Sequence, residues 1–248
     1  MSGQEPDGAK LRFFITGTDT GAGKTVVCAA LARCLMAAGK TVSAIKPFQT
    51  GCAAGDTTDA EFVHLVMGKS FNPERANPYS LQEPLAPMMA AEIENTGFDI
   101  QKLLTLIKEE TENHDAVIVE GAGGLLVPIR DDYSMADFAA ELGFRTVIAA
   151  RAGLGTINHT LLTVEGARAR NLEIAGVVIC GYPEQESVCE ETNLDFLSSR
   201  ARVAGVVPFI RGLDVEKGRP ETLAERDCRS FFTPDLLGTL DEKNLVLR

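Results

Sequence analysis

The stretch FFITGTDTGAGKTVVCAALARCL, residues 13–35, narrows the possible folds more than any other part of the chain. It begins as an apolar run, turns through Gly17, Gly21 and Gly23, and passes Lys24-Thr25 into a helical pattern. A buried strand that leaves through a glycine-rich turn and enters a helix aims its loop N–H groups and the helix N-terminus at one anion-sized hollow. The stretch departs from GxxxxGK[ST] in one respect, because Thr18 stands six residues before Lys24 and the glycine is displaced to Gly17. Its place between strand and amphipathic helix still predicts a phosphate loop, with Lys24 on the β- and γ-phosphates of a nucleotide and the Thr25 hydroxyl on Mg²⁺. In the helix, Val26, Ala30 and Cys34 repeat at four-residue spacing, as do Val27, Leu31 and Leu35. This predicts one broad apolar face, ended by Gly39 at C′.

Five further runs resemble that first strand: TVSAIKP, DAVIVEG, RTVIAA, EIAGVVIC and VAGVVPF. With LRFFITG they are nearly continuous in apolar character and alternate with helical patterns. That predicts an α/β fold, a mostly parallel sheet buried by helices on both faces. A length of 248 residues, 45% of them hydrophobic, suffices for one sizeable core. The expectation is a single phosphate-loop domain over 11–248, a flexible N-terminus over 1–10 and an irregular acidic C-terminal section. No apolar run reaches about 18 residues and the first ten are polar, which predicts neither a membrane span nor a secretory signal, and a cytoplasmic protein. The cysteines at 28, 34, 52, 180, 189 and 228 show no CxxC spacing, as expected of reduced thiols rather than a zinc site. A net charge of -11 argues against long nucleic-acid partners.

A triphosphate carries about four negative charges into this acidic chain, and like charges about 4 Å apart cost about 4 kcal/mol at an effective dielectric near 20. Cations must therefore gather at the carboxyl rim of the sheet, where ligands bind in such folds. Besides Lys24 and a metal, Lys46 qualifies, because it ends the second strand and is directed by Pro47. Glu120 closes AVIVE before GAGG and is the first candidate for the metal. Asp56 and Asp59 in GDTTDAEF are further candidates, which helix capping would explain equally well. There is no GxSxG, and His64, His114 and His159 lie far apart in unrelated patterns. Cys52, near the presumed substrate loop, reads as an incidental thiol rather than a nucleophile.

Taken in order, ITGTDTGAGKT, IKPFQTG, EPLAPMMAA, VEGAGGLLVPI and GLGTINHTLLT resemble the dethiobiotin synthetase family over about residues 12–180, while the C-terminal quarter matches poorly. The resemblance implies a homodimeric, Mg²⁺-dependent ligase that uses ATP or another nucleoside triphosphate. It would join CO₂ to 7,8-diaminopelargonic acid and close a ureido ring. On this resemblance Lys24, Lys46 and Thr20 are catalytic, and Thr25, Asp59 and Glu120 hold the metal. The nucleotide lies on Asp19, Thr20, Gly21, Ala22, Gly23, Lys24, Thr25 and Val26, with Glu120, Cys180, Gly181 and Pro208. The substrate meets Thr20, Lys46, Thr50, Gly123 and Gly124. Its carboxylate is held by backbone N–H groups of Thr156, Ile157 and Asn158, which come from the neighbouring subunit in the family. Three positions depart from the family pattern: Cys180-Gly181 replace a base-reading asparagine, Gly21 replaces a frequent acid and Met88 a frequent histidine. A second reading, a partition or cell-division switch ATPase, shares the loop architecture. Those proteins carry a KGG start with an extra lysine, where this chain has Thr18-Asp19-Thr20.

Overall fold

A computed structural model of the chain describes residues 10–53 and 55–237. The expected flexible N-terminus lies, apart from Lys10, outside the described residues, as does the chain beyond residue 237. In chain order the strands are β1 (Leu11–Gly17), β2 (Val42–Ile45), β3 (Phe48–Gln49), β4 (Tyr79–Ser80), β5 (Ala116–Gly124), β6 (Pro128–Arg130), β7 (Tyr133–Ser134), β8 (Arg145–Arg151), β9 (Ile174–Tyr182) and β10 (Val203–Pro208). The helices are α1 (Lys24–Ala37), α2 (Asp59–Met67), α3 (Pro73–Ala76), α4 (Pro87–Ile93), α5 (Ile100–Asn113), α6 (Met135–Leu142), α7 (Thr156–Ala169), α8 (Val188–Arg200), α9 (Glu221–Ala224) and α10 (Pro234–Leu237), with a 3₁₀ turn at Cys228–Phe231.

All six apolar runs become strands of one six-stranded sheet in the order β10-β9-β8-β1-β5-β2, each pair parallel. Their continuous apolar character follows from burial on both faces, because successive side chains point to opposite sides of a sheet. Phe13 and Ile15 pack with Val27, Leu31 and Leu35 of α1, whereas Phe14 between them packs with Ile107 of α5 and Phe138 of α6. Val147 and Ala149 repeat the first face, and Ile148 and Ala150 pack on the second with Val164 of α7 and Leu197 of α8.

Three expectations change in detail. The first helix has no single apolar face, since Val27, Cys28, Ala29, Ala30, Leu31, Ala32, Cys34 and Leu35 are all buried. The reason is that α2 and the C-terminal section cover what the sheet leaves open; that section, expected as irregular, forms two short helices and a 3₁₀ turn by residue 237, and its Leu223, Cys228, Phe231, Phe232 and Leu236 join the same buried cluster as α1. Third, the strand expected to end at Glu120-Gly121 continues to Gly124, because β5 keeps pairing with β1 past a register shift, Gly17 opposite Gly124. The end of α1 is as predicted, with Gly39 at φ 79°. Its N–H reaches the Met36 carbonyl at 2.9 Å and that of Lys40 the Leu35 carbonyl at 3.0 Å, a Schellman closure.

Candidate active site

The order of the sheet places β1 between β5 and β8, so the loop after β1 opens with a strand end on either side. Thr18 N–H donates to the Ala149 carbonyl at 2.9 Å, tying the loop to β8. Within the loop, Asp19 organises the turn. Its Oδ1 accepts the Thr20 N–H at 2.7 Å, and its carbonyl accepts the Ala22 N–H at 3.4 Å and Lys24 Nζ at 3.4 Å. Gly23 leads into α1 at φ 95°, and a Cβ there would lie 2.3 Å from Cys180 Sγ. Glycine is required for both reasons. Of the expected nucleotide residues of β9 and β10, Cys180 packs on Gly23, while Pro208 stands opposite Tyr182, two residues further along β9.

Lys24, Thr25, Lys46 and Glu120 are all buried, at 6%, 9%, 6% and 2% exposure, in one hollow. The Thr25 hydroxyl donates to Glu120 Oε1 at 2.9 Å, and Lys46 Nζ donates to the same oxygen at 2.8 Å. Lys46 also bonds Asp59 Oδ2 at the start of α2. Asp56, which the sequence could not separate from Asp59, instead accepts the Ala53 N–H within its own turn at 2.9 Å. Burial alone would push the Lys46 ammonium down, but Glu120 and Asp59 together hold it above its ordinary value. Lys24 moves the other way, lowered by burial and then by the neighbouring charge of Lys46. Asp59 is raised by burial but pulled further down by Lys46, so it stays below the ordinary carboxylate range.

Among the described residues Glu120 Oε2 is buried without a hydrogen-bond partner. A buried carboxylate oxygen without a donor is costly, and the other oxygen of the same carboxylate already meets the Thr25 hydroxyl and Lys46, whose second partner is the Asp59 carboxylate. Three hard oxygen donors and an unsatisfied anionic atom fit Mg²⁺, which takes one or two carboxylates and completes its shell with phosphate and water. No cluster of three or more His, Cys, Asp or Glu side chains suited to a metal occurs among the described residues, so a metal here depends on the nucleotide as well.

Thr20 and Gly123 meet across the mouth, a Gly123 Cβ lying 3.7 Å from Thr20 Oγ1. Thr50 follows Gln49, whose Nε2 donates to the Thr50 carbonyl at 3.2 Å and whose Oε1 accepts the Asp59 N–H at 3.2 Å. Thr156, Ile157 and Asn158 open α7 just beyond β8, as expected, yet the Thr156 N–H already donates to the Gly153 carbonyl at 3.2 Å. Only the Ile157 and Asn158 donors then suit a carboxylate. The reading of the sequence missed Gln49, Asn77 and Arg151. Asn77 Nδ2 holds the Lys46 carbonyl at 2.8 Å and Arg151 pairs with Asp19. Nothing in the local sequence marks a buried amide such as Gln49 or Asn77, but Arg151 stands at the end of β8, a strand end that the rim rule had already singled out. Among the described residues all six cysteines are free. Burial and then Asp56 push the Cys52 thiol up, the opposite of what a nucleophile needs. His64 and His114, remote in sequence, share a cleft of about 250 Å³ beside β2, away from this hollow.

A family model described as an AAA domain matches residues 12–217. The chain is 41% identical over 200 residues to ATP-dependent dethiobiotin synthetase BioD of Anaeromyxobacter sp. (strain Fw109-5), covering 80% of this chain and 88% of the relative. It is 36% identical over 216 residues to the protein of the same name from Bacillus thuringiensis (strain Al Hakam), covering 86% and 89%. Among solved structures, the septum site-determining protein MinD complexed with Mg-ADP from Pyrococcus horikoshii OT3 superposes with a TM-score of 0.56 at 18% identity, covering 94% and 96%. That likeness is one of fold alone.

Proposed function

From the premise that the chain belongs to the ATP-dependent dethiobiotin synthetase family, ligases of biotin biosynthesis, we propose how its residues divide the ring closure. One amine of 7,8-diaminopelargonic acid attacks CO₂ and loses a proton, giving a carbamate. A carbamate oxygen attacks the γ-phosphorus, the bond to the β-phosphate oxygen breaks, and ADP leaves. The second amine then attacks the carbamoyl carbon, the C–O bond breaks, phosphate departs with a further proton, and the ureido ring is closed.

The obstacle is that carbamate and triphosphate repel each other, so catalysis is largely positioning between fixed cations. Loop N–H groups from Asp19 to Val26 and the start of α1 hold the phosphates. Lys24 reaches the transferred phosphoryl group, and Lys46 faces the carbamate. Thr20, Thr50, Gly123 and Gly124 position the diamine. Ile157 and Asn158 hold the distant carboxylate across the interface of a homodimer, and Cys180, Gly181 and Pro208 border the base. Thr25, Asp59 and Glu120 would hold Mg²⁺, which when bound draws charge from the phosphate oxygens. The protein acts in the cytoplasm.

The observation that carries this reading is the buried convergence of Thr25, Lys46 and Asp59 on or beside one carboxylate, Glu120, from three separate elements. The test is to incubate the protein with 7,8-diaminopelargonic acid, bicarbonate, Mg²⁺ and each of the four nucleoside triphosphates in turn, reading dethiobiotin by mass. Product is expected with ATP, and the wild-type protein elutes as a dimer. Absence of product with every nucleotide sinks the reading.

A further inference from the structure

Arg151 closes β8, and its Nη2 is paired with Oδ2 of Asp19 in the phosphate loop. The two residues are 132 positions apart. They meet because β8 is a direct neighbour of β1, with Gly17 opposite Ala149 and the Thr18 N–H on the Ala149 carbonyl. With side chains 53% and 51% exposed, the pair is worth little to the fold. Its position argues for another use.

Asp19 shapes the front of the loop through Thr20, Ala22 and Lys24, yet it also sets a negative charge where a triphosphate must arrive. Asp19 is therefore useful for its acceptor oxygens and harmful for its charge. Lys46 cannot cancel that charge, being committed to Asp59 and Glu120. Arg151 cancels it directly.

Given the nucleotide site described above, we propose that Arg151 is a positioning residue for the nucleotide. It neutralises Asp19 and holds the turn in the form in which the loop N–H groups converge on phosphate. The guanidinium acts through Asp19 and does not itself touch the phosphates.

The experiment titrates fluorescent methylanthraniloyl-ATP with Mg²⁺ into the wild type, Arg151→Met, Arg151→Lys, Asp19→Asn and the Asp19→Asn/Arg151→Met double variant. Arg151→Met is expected to bind about tenfold more weakly, which is about 1.4 kcal/mol. The double variant recovers to within about threefold of wild type, because asparagine keeps the acceptor for Thr20 while losing the charge. Arg151→Lys is intermediate, since an ammonium restores charge but not the planar fork. Salt narrows the deficit of Arg151→Met by screening. In the ring-closure assay the loss falls on KM for the nucleotide rather than on kcat, which a merely structural contact would not produce. Wild-type affinity in Arg151→Met overturns the proposal. So does a double variant as weak as Arg151→Met, which would put the guanidinium on the phosphates themselves. A protein that binds nucleotide with this pattern but forms no dethiobiotin refutes the reaction and leaves the role of Arg151 standing. Product formation with an unaffected Arg151→Met does the reverse.

Discussion

Lys46 lies between the buried Glu120 carboxylate and the partly exposed Asp59 carboxylate, and this shapes what its removal should do. Lys46→Ala is expected to lower ring closure by about 10²–10³-fold, the usual cost of losing a charge-stabilising donor, read from initial rates. It should also destabilise the chain by about 3–5 kcal/mol, because Asp59 and Glu120 are left with an uncompensated charge. Mg²⁺ added together with ATP and held by the same oxygens should raise the melting temperature of the variant more than that of the wild type. Equal responses to Mg²⁺ would contradict the metal assignment. A second residue gives a pH signature outside the hollow. Burial lowers the His64 pKa from its ordinary 6.5, and its Nδ1 lies 2.8 Å from the Ala60 carbonyl. The unfolded chain then binds the proton more readily than the folded one, so this contribution is intact above about pH 6.5 and is lost as pH falls below it. Urea midpoints followed downward from about pH 7.5 should therefore fall less in His64→Gln than in the wild type. Lys24, Lys46 and Glu120 were legible because strand ends in a parallel sheet converge. Asn77, by contrast, was not legible, because its importance lies in a carbonyl 31 residues away.

At the scale of elements, the junction of β1, the loop and α1 is the most constrained. Gly23→Ala forces a Cβ into positive φ and into Cys180 Sγ. A cost of about 1–3 kcal/mol in stability follows from the backbone alone, measurable by chemical denaturation, and nucleotide affinity should fall with it. Elsewhere the elements obey local rules. Ser134 caps α6, accepting the Asp137 N–H at 3.4 Å, while the Asp137 carboxylate accepts the Ser134 N–H at 2.8 Å. Ser134→Ala should cost about 0.5–2 kcal/mol by thermal or urea unfolding, with ring closure unaffected. The six strands could be read as strands because their apolar runs admit no other parallel arrangement. Their ends could not, since β5 extends to Gly124 only through its pairing with β1.

Across the whole molecule, the C-terminal section is the part that composition misrepresented. Its charged surface hides a row of apolar residues, and Leu223 and Leu236 are fully buried in the cluster that also holds α1. Phe232 bridges to Gly205 of β10, and the Thr233 N–H donates to the Ala204 carbonyl at 2.9 Å. Leu236→Ala should therefore destabilise the protein by about 2–5 kcal/mol, as a core truncation does, although the residue is distant in sequence from every expected core segment. A loss below about 0.5 kcal/mol in urea unfolding, the range of an ordinary surface change, would refute the covering role. The likeness to MinD extends over this architecture, but the chemistry is not shared with it on that account, because a fold hosts many functions.

The sequence alone determined the parallel sheet, the phosphate loop and the rim on which the functional groups gather. These rest on short-range patterns: runs buried on both faces, a glycine turn before a helix, and lysine or glutamate at a strand end. Tertiary structure alone decided that Asp59 rather than Asp56 meets Lys46, that Arg151 faces Asp19, and that Thr156 has already committed its N–H. Each of those outcomes depends on hydrogen-bond partners set by strand order and chain reversal, and a one-dimensional pattern carries no distance between residues that meet only after folding.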